Sequence, residues 1–151
     1  MESKAALRDA GIAFDRLLVT DAVAARRRWR ETFAARVHAA TGEWIHAKLD
    51  WHAFSFDFVR CLARDPGVEA YRAAFDALRP GPYARSFLVL PESTGPRDEM
   101  DGVAWWCKAT TPPLMSDLGA DWYLVPATFA WTMAFTHEDA SGFGPYFTTA
   151  A

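Results

Sequence analysis

The side chains best equipped for chemistry lie near the end of the chain, in Thr136-His137-Glu138 and in the Gly144-Pro145-Tyr146-Phe147 run that follows. An imidazole titrates near neutral pH, so His137 can serve as a general base where it lines a cleft. Adjacent residues on a strand point to opposite faces, so His137 and Glu138 cannot jointly grip one metal ion unless the strand ends there. A histidine at a strand end also pairs readily with a carboxylate from elsewhere or donates to a carbonyl. We expect that structural role ahead of catalysis. Tyr146 and His52 are the further residues that would complete a pocket with His137 and Glu138.

Other chemistries find weaker support. His46 and His52 are six residues apart, about 20 Å on a strand and on different faces of a helix, so they make no metal pair. No His-x3-His or Cys-x2-Cys spacing occurs, and we expect neither a metal nor a cofactor. Ser55 lacks the Gly-x-Ser-x-Gly setting of a nucleophile elbow. Gly142-Phe143-Gly144 has no helix after it to cradle a phosphate. Trp105-Trp106 and Trp131 could supply a recognition surface. Neighbours on a strand face opposite ways, so we expect one of the first pair in the core and Trp106 and Trp131 as binding candidates.

Composition narrows the class. The chain has 151 residues, 51 % of them hydrophobic, with seven Trp and eleven Phe, which suits one domain with a filled core. A net charge of −3 gives no general affinity for nucleic acid or an anionic membrane. Cys61 and Cys107 show no disulfide pattern, and Met1-Glu2-Ser3-Lys4 is charged where a signal peptide would be apolar. We therefore expect a cytoplasmic protein that does not enter a membrane.

The elements that must position these residues are legible in part. Residues 4 to 20 are ambiguous between a short helix and an edge strand. Asp21 is the expected N-cap of a helix whose apolar stripe is Ala22, Ala25, Trp29, Phe33 and Val37, closed by Thr41-Gly42. Arg26, Arg27, Arg28 and Arg30 read as its solvated arc. The aromatics between Trp44 and Phe58 fit a helix or a strand, and we favour a helix that gives way near Ser55. Asp65-Pro66 opens the clearest helix, with Val68, Tyr71, Phe75 and Leu78 on its stripe and Arg79-Pro80-Gly81-Pro82 as its stop. Ser86 to Leu90 is a buried strand. Val103 to Cys107 is either a strand or one helical turn, and Pro112 to Gly119 a short helix. Trp122 to Val125 and Trp131 to Phe135 form an antiparallel hairpin. The class is α+β in a single domain, residues 1–151, with N-terminal helices packed on one face of a small, mainly antiparallel C-terminal sheet.

Trp51-His52-Ala53-Phe54-Ser55-Phe56, Gly67-x-x-Ala70 with Phe75, Asp121-x-Tyr123-x-Val125, Phe129-x-Trp131-Thr132, Thr136-His137-Glu138 and Gly144-Pro145-Tyr146-Phe147 together resemble a bacterial family, domain of unknown function 4275. The likeness spans about residues 29 to 147. It implies a bacterial cytoplasmic protein and no particular activity. The same ending also looks like that of many small immunity proteins, a likeness at the level of fold. We expect a small non-catalytic binding module, immunity- or adaptor-like, with another protein as partner. The alternative is a small enzyme or small-molecule-binding protein with a pocket lined by His137, Glu138 and Tyr146.

Overall fold

The computed structural model describes residues 2–9, 11–34, 51, 54, 60–93, 97–116 and 121–150. Among them are three helices, α1 (Glu2–Asp9), α2 (Val19–Trp29) and α3 (Arg64–Ala77), and seven strands. The strands are β1 (Ala13–Arg16), β2 (Leu62–Ala63), β3 (Arg85–Pro91), β4 (Trp105–Ala109), β5 (Trp122–Val125), β6 (Trp131–Phe135) and β7 (Tyr146–Thr149). They form one sheet in the order β1-β4-β3-β5-β6-β7-β2, and every neighbouring pair is antiparallel. The mixed α and β class is as expected. None of these helices is long and apolar enough to cross a membrane.

The helices do not share one face, as the sequence led us to expect. Strand alternation sends Phe87, Val89, Trp122, Leu124, Met133 and Phe135 to one side, where Leu7 of α1 and Tyr71 and Phe75 of α3 cover them. Leu88, Leu90, Tyr123, Val125 and Ala134 go to the other, beneath Ala22 and Trp29 of α2 and also Phe33, Trp51 and Phe54. All residues of β5 and β6 are buried. Strands covered on both sides read as continuous apolar runs instead of alternating ones, which is why the sequence hid the second layer. The sheet is also not confined to the C-terminal part, since among the described strands β1 and β2 stand at its two edges. The β1 edge is largely exposed and carries Asp15 and Arg16; β2 is only two residues long.

Helix boundaries shift for local reasons. The Leu17 amide donates to the Ala104 carbonyl, which keeps the chain extended to Leu18, and α2 starts at Val19 with Leu18 as its N-cap. Asp21, expected as the cap, lies in the first turn, where its charge favours the positive helix end. Helix α2 runs on into a π-helical turn at Arg30–Ala34. The expected continuation to Gly42 and the segment from Trp44 to Phe58 lie outside the described residues, apart from the buried Trp51 and Phe54. In α3, Ala63 takes the cap position expected of Asp65, because β2 pairs as far as Ala63↔Tyr146 before the chain turns. That turn places Arg64 at φ +61°, a left-handed conformation uncommon outside glycine. The stripe of α3 forms as expected. Val103 to Cys107 resolves in favour of a strand. Residues 112–115 are not helical, against expectation, and 117–120 lie outside the described residues.

One residue of the arginine arc is not solvated. Arg26 is 1 % exposed and donates to the carbonyls of Met100 and Val103 at 3.0 Å and of Asp101 at 3.4 Å. Arg30, half-buried, reaches the Asp101 carboxylate at 3.3 Å and the Ser93 carbonyl at 3.2 Å. The two guanidinium groups clamp α2 to the short 3-10 helix Glu99–Gly102. Arg27 and Arg28 remain on the exposed arc. Because Arg26→Leu would take a donor from the buried carbonyls of Asp101 and Val103, we expect a loss of about 3 kcal/mol in urea unfolding, against less than about 0.5 kcal/mol for Arg27→Leu.

Candidate functional site

The antiparallel ladder gathers the polar groups at one end of the sheet. Pro91, Trp122 and Phe135 are aligned across β3, β5 and β6, and Ala134, Tyr146 and Ala63 across β6, β7 and β2. The residues just beyond these positions are Glu92, Asp121, Thr136-His137-Glu138, Pro145 and Arg64, which therefore meet there.

Asp121 is the hub. Its Oδ1 accepts the His137 backbone N–H at 2.8 Å and lies 2.9 Å from His137 Nδ1, while its Oδ2 accepts Trp51 Nε1–H at 3.0 Å. Facing a carboxylate, Nδ1 carries the proton, which leaves the lone pair of the neutral ring on Nε2. The His137 side chain is 55 % exposed and rests edge-on against the Trp51 ring at 5.6 Å. Trp51 in turn stacks on Tyr146 at 6.3 Å. The Tyr123 hydroxyl accepts the Trp51 backbone N–H at 3.0 Å and donates to the Glu92 carboxylate.

A second carboxylate ties down the turn after β6. Asp139 Oδ1 accepts the Thr136 hydroxyl at 2.8 Å, and Oδ2 accepts the Thr136 amide at 3.0 Å and the Ser116 hydroxyl at 2.6 Å. Burial pushes the Asp139 carboxyl above the usual range. The hydrogen bonds from Ser116 and Thr136 pull it back, and the Asp121 charge adds to the rise. A side chain at Gly144 would place its Cβ 2.1 Å from Asp139 Oδ1, so only glycine lets the carboxylate approach. Burial, with the charges of Asp139 and Glu138 behind it, pushes the Tyr146 phenol up to about 12. Tyr146 therefore stays protonated and contributes its ring, not a base. Beside Asp139 opens a cleft of about 400 Å³, lined among others by Arg64, Asp65, Val68, Ser116 and Gly144.

Of the residues singled out in the sequence, Thr136, His137, Glu138 and Tyr146 come together here. Thr136 and Tyr146 are buried, so His137 and the half-buried Glu138 are what this group shows to solvent. Trp131 starts β6 at the opposite end of the sheet and is packed in the core against Tyr71 and Phe147, so it offers no recognition surface. Trp106, half-buried, lies on β4 opposite Leu88, away from His137. His52 lies outside the described residues. Asp121, Asp139, Ser116 and Arg64 had not been singled out as site residues. Asp121 and Asp139 precede or follow strands by one to four positions, a spacing that many capping residues share. No family model, curated protein or solved structure matches the chain.

The arrangement holds an imidazole in one orientation with Nε2 open. Among the described residues no hydroxyl or thiol is hydrogen-bonded to that nitrogen, and no three His, Cys, Asp or Glu side chains are placed to hold a metal ion. Asp139 also fixes a pH dependence. A carboxyl whose folded pKa is raised binds its proton more tightly in the folded state, so its contribution to stability is fully present below the unfolded value of about 3.9 and is lost as pH rises through the folded value. The stability gap between the wild type and Asp139→Ala should therefore widen as pH falls from 7 toward 4. Urea unfolding at several pH values reads this directly, and a gap that narrows would contradict the assignment.

Proposed function

We propose that the protein is a small non-catalytic binding module, immunity- or adaptor-like, that meets a protein partner through the polar end of its sheet. The observation that carries this reading is how Asp121 is used. Both of its oxygens are occupied in fixing Trp51 and the His137 main chain, so the carboxylate builds a rigid surface and His137 is displayed on it. Rigid display lowers the entropy cost of association. Assignment to the bacterial cytoplasm and to the family of domain of unknown function 4275 belongs to the same proposal. The residues on which that resemblance rests, Thr136-His137-Glu138 and Gly144-Pro145-Tyr146 among them, are those that build this end.

The test is amide hydrogen exchange of the protein alone and in complex with a partner recovered from its native host. We expect slowed exchange across residues 136–146 and a weakened complex with His137→Ala at unchanged thermal stability. A protein that recovers no partner, or a partner that protects only another face, sinks the proposal.

One observation favours a second reading, a small enzyme or ligand-binding protein with a pocket at His137, Glu138 and Tyr146. The Asp121-oriented ring with Nε2 open is the geometry a general base requires. This reading expects small molecules that raise the melting temperature of the wild type and not of His137→Gln. Equal shifts in both proteins remove it.

A further inference from the structure

The outward face of α3 carries opposite charges in a mirrored order. Glu69, Arg72 and Asp76 are all exposed, and the exposed Arg79 follows just past the helix end. Steps of three and four residues keep Glu69, Arg72, Ala73 and Asp76 on one side of the helix. Glu69 and Arg79 stand five residues either side of position 74, and Arg72 and Asp76 two residues either side. Each charge is therefore reflected in its opposite. Near the centre of the face the exposed residue is Ala73, with Ala77 one turn on, and methyl side chains let a second helix come close. Charges so spaced along a helix commonly pair with one another. Here they do not. Among the described residues Glu69, Arg72 and Arg79 form no ion pair, and Asp76 meets only Arg85, at 3.9 Å, with 62 % of its side chain exposed. Beyond the helix end the rim is fixed: Arg79 lies over the exposed Tyr83 ring at 4.7 Å, and the buried Arg85 donates to the Tyr83 carbonyl at 3.0 Å.

We infer that this face of α3 docks on the same face of a second copy of the chain, the two helices antiparallel about a two-fold axis at position 74. In such an isologous contact residue i meets residue j and j meets i, so the face must complement itself. The axis sets Glu69 against Arg79 of the second copy and Arg72 against its Asp76, each pair being made twice. Moving the axis to between positions 72 and 73 would oppose Glu69 to Asp76, so charge selects the register. Tyr83, pinned through its carbonyl, adds an aromatic ring at the rim, a residue type favoured at interfaces. One helix face covers less than the about 800 Å² per partner of a stable complex, so the dimer is weak and, being held by charge, sensitive to salt. The contact stands independently of the binding-module reading, because none of these residues belongs to the His137 network.

Sedimentation equilibrium of the whole chain tests this. The wild type should approach the mass of two chains as its concentration rises, and less readily in about 0.5 M salt. Glu69→Arg and Arg79→Glu each oppose like charges twice, and each should weaken association about thirty-fold at an unchanged melting temperature. Mixed in equal amounts, the two variants should associate as tightly as the wild type, because each supplies the charge that the other lacks. Recovery on mixing separates a direct contact from a general effect of net charge. A wild type still monomeric at about 1 mM overturns the inference. So does association that salt and both variants leave unchanged, or a mixture no tighter than its components.

Discussion

A sheet covered on both faces leaves few places for polar chemistry, and the rest of this structure follows from that constraint. Between α1 and α3 on one side and α2 with Trp51 and Phe54 on the other, β5 and β6 bury every residue. Their backbone groups are satisfied by the ladder, and an unpaired side-chain polar group inside would cost about 1–3 kcal/mol. Thr132, the polar residue inside β6, is accordingly held between Trp29 Nε1, which donates to it at 2.8 Å, and the Leu124 carbonyl, to which it donates at 2.9 Å. Carboxylates and the imidazole are displaced to the strand ends. There they can bond to one another and to main-chain amides while keeping one side in water.

This explains why the site is a network and not a row of independent residues. Asp121 reaches His137 and Trp51; Asp139 reaches Thr136 and Ser116; Trp51 links the first set to Tyr123 and Tyr146. Trp51 comes from a segment far from the C-terminal strands in sequence. Its indole N–H and its ring supply both a hydrogen bond to the carboxylate and a wall for the imidazole. Such shared supports fix side-chain geometry more firmly than any one contact would.

The parts legible in the sequence were those governed by short-range rules. The stripe from Val68 to Leu78, the apolar run of β3 and the β5–β6 hairpin follow directly from period and turn residues. The His137 end of β6 was also legible as a polar stop. What escaped depends on partners remote in sequence. Arg26 lies four residues after Ala22 and three before Trp29, on the buried stripe itself, but an arginine there reads as polar, and its burial depends on the three carbonyls and the Asp101 carboxylate around Glu99–Gly102. Asp121 and Asp139 carry no local mark that separates them from ordinary caps. The second helical layer was hidden because a strand buried on both sides has no alternation to read.

The two edges of the sheet have a consequence for how the molecule meets others. An edge strand with free N–H and C=O groups is a template for pairing with any extended chain, and long flat apolar edges invite aggregation. Among the described residues one edge is a four-residue strand bearing Asp15 and Arg16, and the other is two residues long and runs straight into a helix. Neither offers enough backbone for a stable added strand. Contacts built on side chains at the strand ends are thereby favoured over main-chain annexation, and a sheet this apolar is kept from polymerising through its own borders.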